Sequence, residues 1–159
     1  QGMSRDRVLS FSNECLGPIA SILLVIGAGG AFNNVLIDSG VGEYIADLAK
    51  HSPISPILLS WLIAAVIRVA TGSATVSMMT AAGIVAPIAA SMPDVSRELL
   101  VLATGAGSLI LSHVNDSGFW LIKEYFGMTI KETFLTWTAM ETIISVSAIA
   151  FIMIINMFI

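Results

Sequence analysis

Two short polar segments interrupt an otherwise apolar chain, and their side chains are of the types that bind a small anion or a polyol. The first covers residues 68–77 and is rich in glycine, serine and threonine. A helix broken there exposes backbone N–H groups, and half-helix N-termini attract anions through these donors and the helix dipole. Hydroxyl groups add neutral hydrogen bonds to a carboxylate or a polyol. The candidate substrate-binding residues are Thr71, Gly72, Ser73, Thr75 and Ser77.

Ordinary packing between membrane helices is the alternative explanation of this segment. Small residues let helices approach closely, and serine and threonine hydroxyls can bond back to their own backbone. Such residues are common in membrane helices, so the pattern leaves both binding and packing open. The composition of residues 70–92 predicts two half-helices that meet at a polar tip.

The second polar segment is residues 112–118, Ser-His-Val-Asn-Asp-Ser-Gly. An ionisable residue at membrane depth is costly, so it usually lines a cavity, pairs with a charge or carries a proton. His113 and Asp116 are therefore candidates for proton coupling, the histidine because it changes charge near neutral pH. Asn115 and Ser117 are candidates for substrate binding. A wet loop at the membrane surface is the alternative, but the apolar flanks lack the charges that usually mark that boundary.

Two further charged residues are secondary candidates. Arg68 could be the counter-ion of an anionic substrate, and a snorkelling or structurally paired arginine is an equal alternative. Glu141 lies inside the last apolar run, where it could be a proton site. The alternative is that Glu141 lies near the end of a tilted helix and has no part in proton transfer.

The composition of the 159-residue chain is that of an integral membrane protein. Hydrophobic residues make up 56% and charged residues 11%, with a mean hydropathy of +0.90, whereas roughly a quarter of a soluble domain is charged. Runs without charge cover residues 15–37, 69–93, 99–115 and 142–159. Each is near the ~20 residues that cross a bilayer. The predicted fold class is all-α: a polytopic transmembrane helical protein with discontinuous helices.

The same residues argue against several functional classes. The net charge of −4 is small and scattered, with no basic stripe, so we expect no nucleic-acid partner. The sequence has no catalytic triad spacing, zinc-protease motif or cysteine pair, and Cys15 stands alone. We therefore expect neither an enzyme nor a bound metal or cofactor.

The start of the chain divides into two predicted parts. Residues 1–14 mix charged and apolar side chains, as an interfacial or connecting segment would, and residues 15–159 form the transmembrane part. The first span, residues 16–37, contains Gly-Ala-Gly-Gly at 27–30 and Asn-Asn at 33–34. Glycine weakens a helix and buried asparagines need partners, so this helix is expected to be tightly packed or broken.

The remainder of the chain continues the pattern. Residues 38–52 predict a short amphipathic surface helix. A further span covers residues 57–69, another that is itself broken begins at Leu99, and the last covers residues 133–159.

Five motifs in order resemble the gluconate permease (GntP) family. They are Gly27-Ala-Gly-Gly-Ala-Phe32, Asp38-Ser-Gly-Val-Gly42, Arg68-Val-Ala-Thr-Gly-Ser-Ala-Thr75, Ala81-Ala-Gly-Ile-Val-Ala-Pro87 and His113-Val-Asn-Asp-Ser-Gly-Phe-Trp120. Lys123-Glu-Tyr-Phe-Gly127 with Thr136-Trp137 extends the likeness, which runs from about residue 3 to the end. Matches in this order and over this length are more specific than any single motif.

The resemblance implies a multi-pass permease of the bacterial inner membrane that takes up gluconate or a related sugar-acid anion, with protons. It also implies the inverted repeats and re-entrant hairpins of the wider ion-transporter superfamily. Residues 72–75 would then be a hairpin tip and residues 112–118 a helix break, both facing one central site. Partners would include membrane lipid, a second copy, and an N-terminal half of the same permease that this chain lacks.

A channel or a non-transporting membrane subunit is the alternative function. In that case the broken helices would only serve packing. A channel would show flux that does not saturate with substrate, and a subunit would need a partner to show activity.

Overall fold

The computed structural model describes residues 4–39, 47, 51 and 53–159. In these ranges it contains six helices and no strand, which confirms the all-α class for the described part. The predicted surface helix at residues 38–52 lies largely outside the described residues. The helices are α1 Arg5–Asp38, α2 Pro56–Thr71, α3 Ala74–Ser91, α4 Arg97–Gly107, α5 Ser117–Tyr125 and α6 Ile130–Ile155.

Helix α1 is continuous across boundaries that the sequence suggested. It begins at Arg5, so residues 5–14 belong to the same helix as the predicted first span. It also continues through residues 27–30 and 33–34 without interruption, and it runs beside α3. Close packing at these residues therefore remains the open prediction, and a break there is not found.

Helices α2 and α3 form a hairpin whose connection is only Gly72 and Ser73, here named the tip. Gly72 ends α2 in the left-handed conformation, with φ of +70°, which glycine adopts without the penalty paid by other residues. Ser73 begins α3, and its Oγ accepts a hydrogen bond from the Val76 N–H at 3.3 Å, as an N-cap does.

The position of the tip corrects one expectation. Residues 74–91 form a single helix that includes Pro87, instead of two half-helices meeting within residues 70–92. Small residues and hydroxyls in this stretch are used for packing. The buried Ser77 donates to the Ala64 carbonyl of α2 at 2.6 Å.

Helices α2, α3, α4 and α6 enclose the core. Small residues bring α2 and α4 close: a Cβ on Gly107 would lie 3.0 Å from Ala64 Cβ and 3.1 Å from the Trp61 carbonyl carbon. Trp61 Nε1 donates to Ser145 Oγ at 3.1 Å, and Ser145 Oγ donates to the Ala106 carbonyl at 2.6 Å. The buried apolar side chains are Ile57, Val85, Leu99, Leu100, Ala103, Ala106, Ile149 and Ile152.

Two irregular stretches follow the hairpin. Residues 108–116, here named the break, separate α4 from α5, close to the predicted interruption. Helix α6 opens with a Thr129–Glu132 capping box and contains a π-helical turn at Phe134–Thr138. By length and composition, α3 and α6 are the helices within the described ranges that could cross a bilayer.

Candidate functional site

The tip and the break, 43 residues apart at Gly72 and Asn115, touch each other. Asn115 Nδ2 donates to the Val69 carbonyl in the last turn of α2 at 3.0 Å. A Cβ placed on Gly72 would lie 2.7 Å from Asn115 Cγ and closer still to its carbonyl group. Only glycine fits here, because both its positive φ and the close backbone approach exclude a side chain.

Arg68 and Asp116 form a buried ion pair across the same junction. Arg68 Nη2 lies 2.5 Å from Asp116 Oδ2, and Arg68 Nη1 donates to the Gly72 carbonyl at 2.5 Å. Only 3% of Arg68 and 8% of Asp116 is exposed. Among the residues that the structure describes, Arg68 Nε has no hydrogen-bond partner. The guanidinium therefore holds α2, the tip and the break together.

Both oxygens of Asp116 are occupied. Oδ1 accepts from the Gly118 N–H at 2.8 Å, so Asp116 is also the N-cap of α5. Oδ2 accepts from Arg68 and from Ser112 Oγ, the latter at 2.5 Å. Asp116 is thus held as a carboxylate with charged and neutral donors around it.

The π-helical turn of α6 supports Ser112 from the opposite side. Trp137 Nε1 donates to Ser112 Oγ at 2.9 Å, and Thr138 Oγ1 donates to the Ser112 carbonyl. A π turn adds a residue to the helical repeat and is often found at functional sites. Here Trp137 and Thr138, which both donate from α6 to Ser112, belong to that turn. Side chains from α6, the break and α2 therefore form one connected hydrogen-bond network.

The predicted hydroxyl residues differ in their surroundings. Thr71, Thr75 and Ser117 are exposed at the ends of the helices that meet here, and Ser73 is half-buried. Thr71 Oγ1 donates to the Ile67 carbonyl at 2.8 Å. Asn115 is exposed as well, and it and Ser117 flank Asp116 in the chain, while Thr71 and Ser73 flank Gly72, whose carbonyl accepts from Arg68.

The remaining titratable candidates lie near the pair without bonding to it. His113 is half-buried, and its Nδ1 lies 2.8 Å from the Leu111 carbonyl, which can only accept, so Nδ1 is the donor of this hydrogen bond. Glu141 in α6 is half-buried and lies within electrostatic range of both Arg68 and Asp116. Within the described ranges, no three metal-ligating side chains come together.

Comparison with known proteins adds a second kind of observation. The model of the GntP family permease matches residues 1–158 of the chain. The chain belongs to the GntP permease family. It is therefore a membrane protein of a permease family and not an enzyme.

Similar GntP permeases carry transporter names. The chain is 58% identical to a gluconate permease of Pseudomonas aeruginosa over 99% of its own length and 35% of the relative's. It is 52% identical to a high-affinity gluconate transporter of Escherichia coli, over 98% of this chain and 36% of that one. An L-idonate transporter of the Gnt-II system of Escherichia coli is 48% identical, over 98% of this chain and 35% of the transporter's length. The chain thus spans about a third of the length of these relatives. No solved structure matches it.

The contact between Arg68 and Asp116 in this GntP permease was not predicted from sequence, although each residue was a separate candidate. Arg68 immediately precedes the charge-free run 69–93, and Asp116 immediately follows the run 99–115. Lone opposite charges at membrane depth usually pair, so this pattern is the signal that could have found the contact. Trp137 and Thr138 carried no such signal, because a π turn cannot be read from apolar periodicity.

An apolar groove of about 220 Å³ lies between α3 and α4 of the GntP permease, lined by residues such as Met78, Val85 and Leu100. None of the predicted site residues lines it. Its lining is mostly apolar, and its two polar residues are Arg97 and Thr104, of which Thr104 already donates to the Leu100 carbonyl. The groove therefore lacks the several convergent polar groups that a hydroxylated anion needs.

Ser112 of the GntP permease gives a first testable prediction. Replacing Ser112 with alanine removes one donor to Asp116 and leaves Trp137 Nε1 without its acceptor. We expect a loss of about 1–3 kcal/mol in the free energy of unfolding of the detergent-solubilised full-length permease. Ser108→Ala is the matched control. Ser108 is also buried, but its hydroxyl donates only to the carbonyl of Gly105, three residues earlier, at 2.7 Å. Equal losses in the two variants would contradict the network.

Proposed function

We propose that this chain is part of a secondary transporter that takes up gluconate or a related sugar-acid anion with protons. The single observation that supports this most is the junction of tip and break, where a buried charge pair lies beneath exposed hydroxyl and amide groups. A sugar acid carries the same two kinds of group, a carboxylate and a row of hydroxyls. Gluconate and L-idonate, named for relatives, are both hydroxylated monocarboxylates.

The roles proposed for the polar residues follow their exposure. Thr71, Thr75, Asn115 and Ser117 are exposed and can bond the hydroxyls of the substrate. The half-buried Ser73 can add its hydroxyl, whereas Gly72, whose N–H and carbonyl are both bonded to Arg68, shapes the tip. Ser77 is already bonded to Ala64, so its part is to fix the hairpin. His113, Asp116 and Glu141 are the titratable residues available to carry the proton, and Arg68 is the positive charge.

The lengths of α2, α4 and α5 support a re-entrant hairpin and a discontinuous helix, whereas the 18-residue α3 is long enough to cross the bilayer. The 16 residues of α2 extend about 24 Å at 1.5 Å per residue, short of the ~30 Å hydrocarbon core. The 11 residues of α4 and 9 residues of α5 are shorter still. We propose that the tip and the break therefore meet inside the inner membrane, at the depth where transporters of this kind bind their solutes.

Alternating access would expose such a site to each side in turn. In the inverted-repeat arrangement, a matching hairpin from another part of the permease would complete it. The partners proposed are thus the sugar acid, protons, the surrounding lipid, the rest of the permease and a second copy.

The test is uptake of labelled gluconate by proteoliposomes that contain the full-length permease. We expect uptake that saturates with gluconate, accumulates when the outside is more acidic, and loses the accumulation when a protonophore is added. Flux that rises linearly with concentration would favour the channel. No uptake of gluconate or L-idonate above that of empty liposomes would reject the sugar-acid assignment.

A further inference from the structure

We infer that Arg68 is the receptor for the carboxylate of the substrate, and that Asp116 occupies this receptor when no substrate is bound. The inference rests on the proposed function and names the groups through which anion and proton would be coupled.

One edge of the Arg68 guanidinium is only half occupied. A carboxylate binds arginine best when its two oxygens accept two parallel N–H bonds, for example from Nε and one Nη. Asp116 brings only Oδ2 to Nη2, because its Oδ1 is held by the Gly118 N–H. Nε beside it is buried and has no partner among the described residues.

A free carboxylate can make the contact that Asp116 cannot make. It can accept from Nε and Nη2 together, while Nη1 stays on the Gly72 carbonyl. The sugar acid would then accept a hydrogen bond from Arg68 Nε, the buried donor that has no partner among the described residues. A buried donor without a partner costs free energy of folding. Its hydroxyls would point towards the exposed side chains of the junction, such as Asn115 and Ser117.

Displacement of Asp116 requires a proton. Once Arg68 pairs with the substrate, a charged Asp116 would be left buried without a counter-charge, which is strongly unfavourable. One proton binds Oδ2 and forms an O–H bond, so the site remains neutral with one anion and one proton bound. Ser112 Oγ can accept this new O–H after its own hydroxyl turns away, because an oxygen of this type has two lone pairs.

The other titratable groups near Asp116 do not supply a counter-charge to it once Arg68 pairs with the substrate. Glu141 faces the pair from α6, but it is a carboxylate and cannot replace the positive charge of Arg68. His113 is bonded to the Leu111 carbonyl and makes no hydrogen bond to the pair within the described part of the chain. Asp116 is the one carboxylate in contact with Arg68 among the described residues.

The experiment compares gluconate with its neutral amide, gluconamide, as competitors of labelled gluconate exchange in proteoliposomes of the full-length permease. In the unmodified protein gluconamide should compete about 10- to 100-fold more weakly, the range for a charge-assisted bond. Arg68→Lys keeps the positive charge but loses the two parallel N–H donors of the guanidinium. The difference between gluconate and gluconamide as competitors should therefore shrink. Arg97→Lys, at an exposed arginine of α4, should leave it unchanged.

Asp116→Asn tests the second half of the inference. Asparagine caps a helix as well as aspartate does, so α5 keeps its start. The rate of gluconate exchange should no longer vary with pH, and accumulation driven by a pH gradient should disappear. Asp94→Asn, at an exposed carboxylate between α3 and α4, is the control and should behave like the unmodified protein.

Unchanged discrimination in Arg68→Lys, or unchanged pH-driven accumulation in Asp116→Asn, would overturn the inference while uptake by the unmodified protein still upholds the proposed function. If Arg68→Lys does not fold, the double variant Arg68→Gln with Asp116→Asn removes both charges. In this double variant, gluconate and gluconamide should compete equally well with labelled gluconate. A retained preference for gluconate would reject Arg68 as the receptor.

Discussion

Replacing Gly72 with alanine is expected to abolish transport and to destabilise the permease. The new Cβ would force a left-handed residue to carry a side chain and would meet the backbone of Asn115. The first effect costs about 1–2 kcal/mol and overpacking costs about 1–3 kcal/mol more. We therefore expect a loss of about 2–5 kcal/mol in the free energy of unfolding, measured alongside gluconate uptake by the full-length protein.

Three other glycines separate the causes of this effect. Gly127 also has a positive φ, +61°, but a Cβ there meets nothing within 4 Å, so Gly127→Ala isolates backbone strain. Gly107→Ala introduces a clash with Trp61 at the contact of α2 and α4, away from the tip. Gly105→Ala has neither problem. Near-normal uptake by Gly72→Ala would mean that the tip and the break do not need to touch.

The Arg68–Asp116 pair should show a large mutual dependence in stability. Arg68→Met alone leaves the buried Asp116 carboxylate without its counter-charge, and loss of one partner of such a pair costs about 3–5 kcal/mol. Adding Asp116→Asn removes the stranded charge, so the double variant should recover most of that loss. Unfolding of the four proteins of this cycle, from the unmodified permease to the double variant, measures the coupling directly.

The exposed pair of Lys123 and Glu124 provides the control cycle. Its atoms are 2.7 Å apart, but 73% of the Glu124 side chain is exposed, and exposed pairs contribute about 0–1 kcal/mol. Equal coupling in the two cycles, or additive effects at Arg68 and Asp116, would show that the buried pair does not hold the junction.

Sequence alone predicted the helical class and the location of both irregular segments. Charge-free runs and glycine- and hydroxyl-rich stretches are local properties, and they persist in the structure as helices, tip and break. The exact division was harder. Residues 74–91 contain the small residues and proline that usually interrupt a helix, yet they form one helix, and Ser77 in its first turn donates to the Ala64 carbonyl of α2.

The contacts that build the site were only partly signalled by the chain. Arg68 and Asp116 are 48 residues apart; their opposite charges beside apolar runs are a signal for pairing, but nothing local specifies which of their atoms meet. Ser112 and Trp137 meet across 25 residues because a π turn shifts the register of α6. Such long-range contacts depend on the packing of whole helices, which periodicity describes only in outline.

Protection of single cysteines by substrate tests the central claim most directly, namely that the tip and the break together bind the sugar acid. Thr75→Cys and Ser117→Cys place a thiol at exposed positions on either side of the junction, and Asp94→Cys places one in the exposed connection between α3 and α4. In a full-length permease whose other cysteines are replaced, gluconate should slow alkylation of the Thr75→Cys and Ser117→Cys variants and leave the Asp94→Cys variant unaffected. Alkylation of all three at rates unchanged by saturating gluconate would contradict a substrate site at this junction.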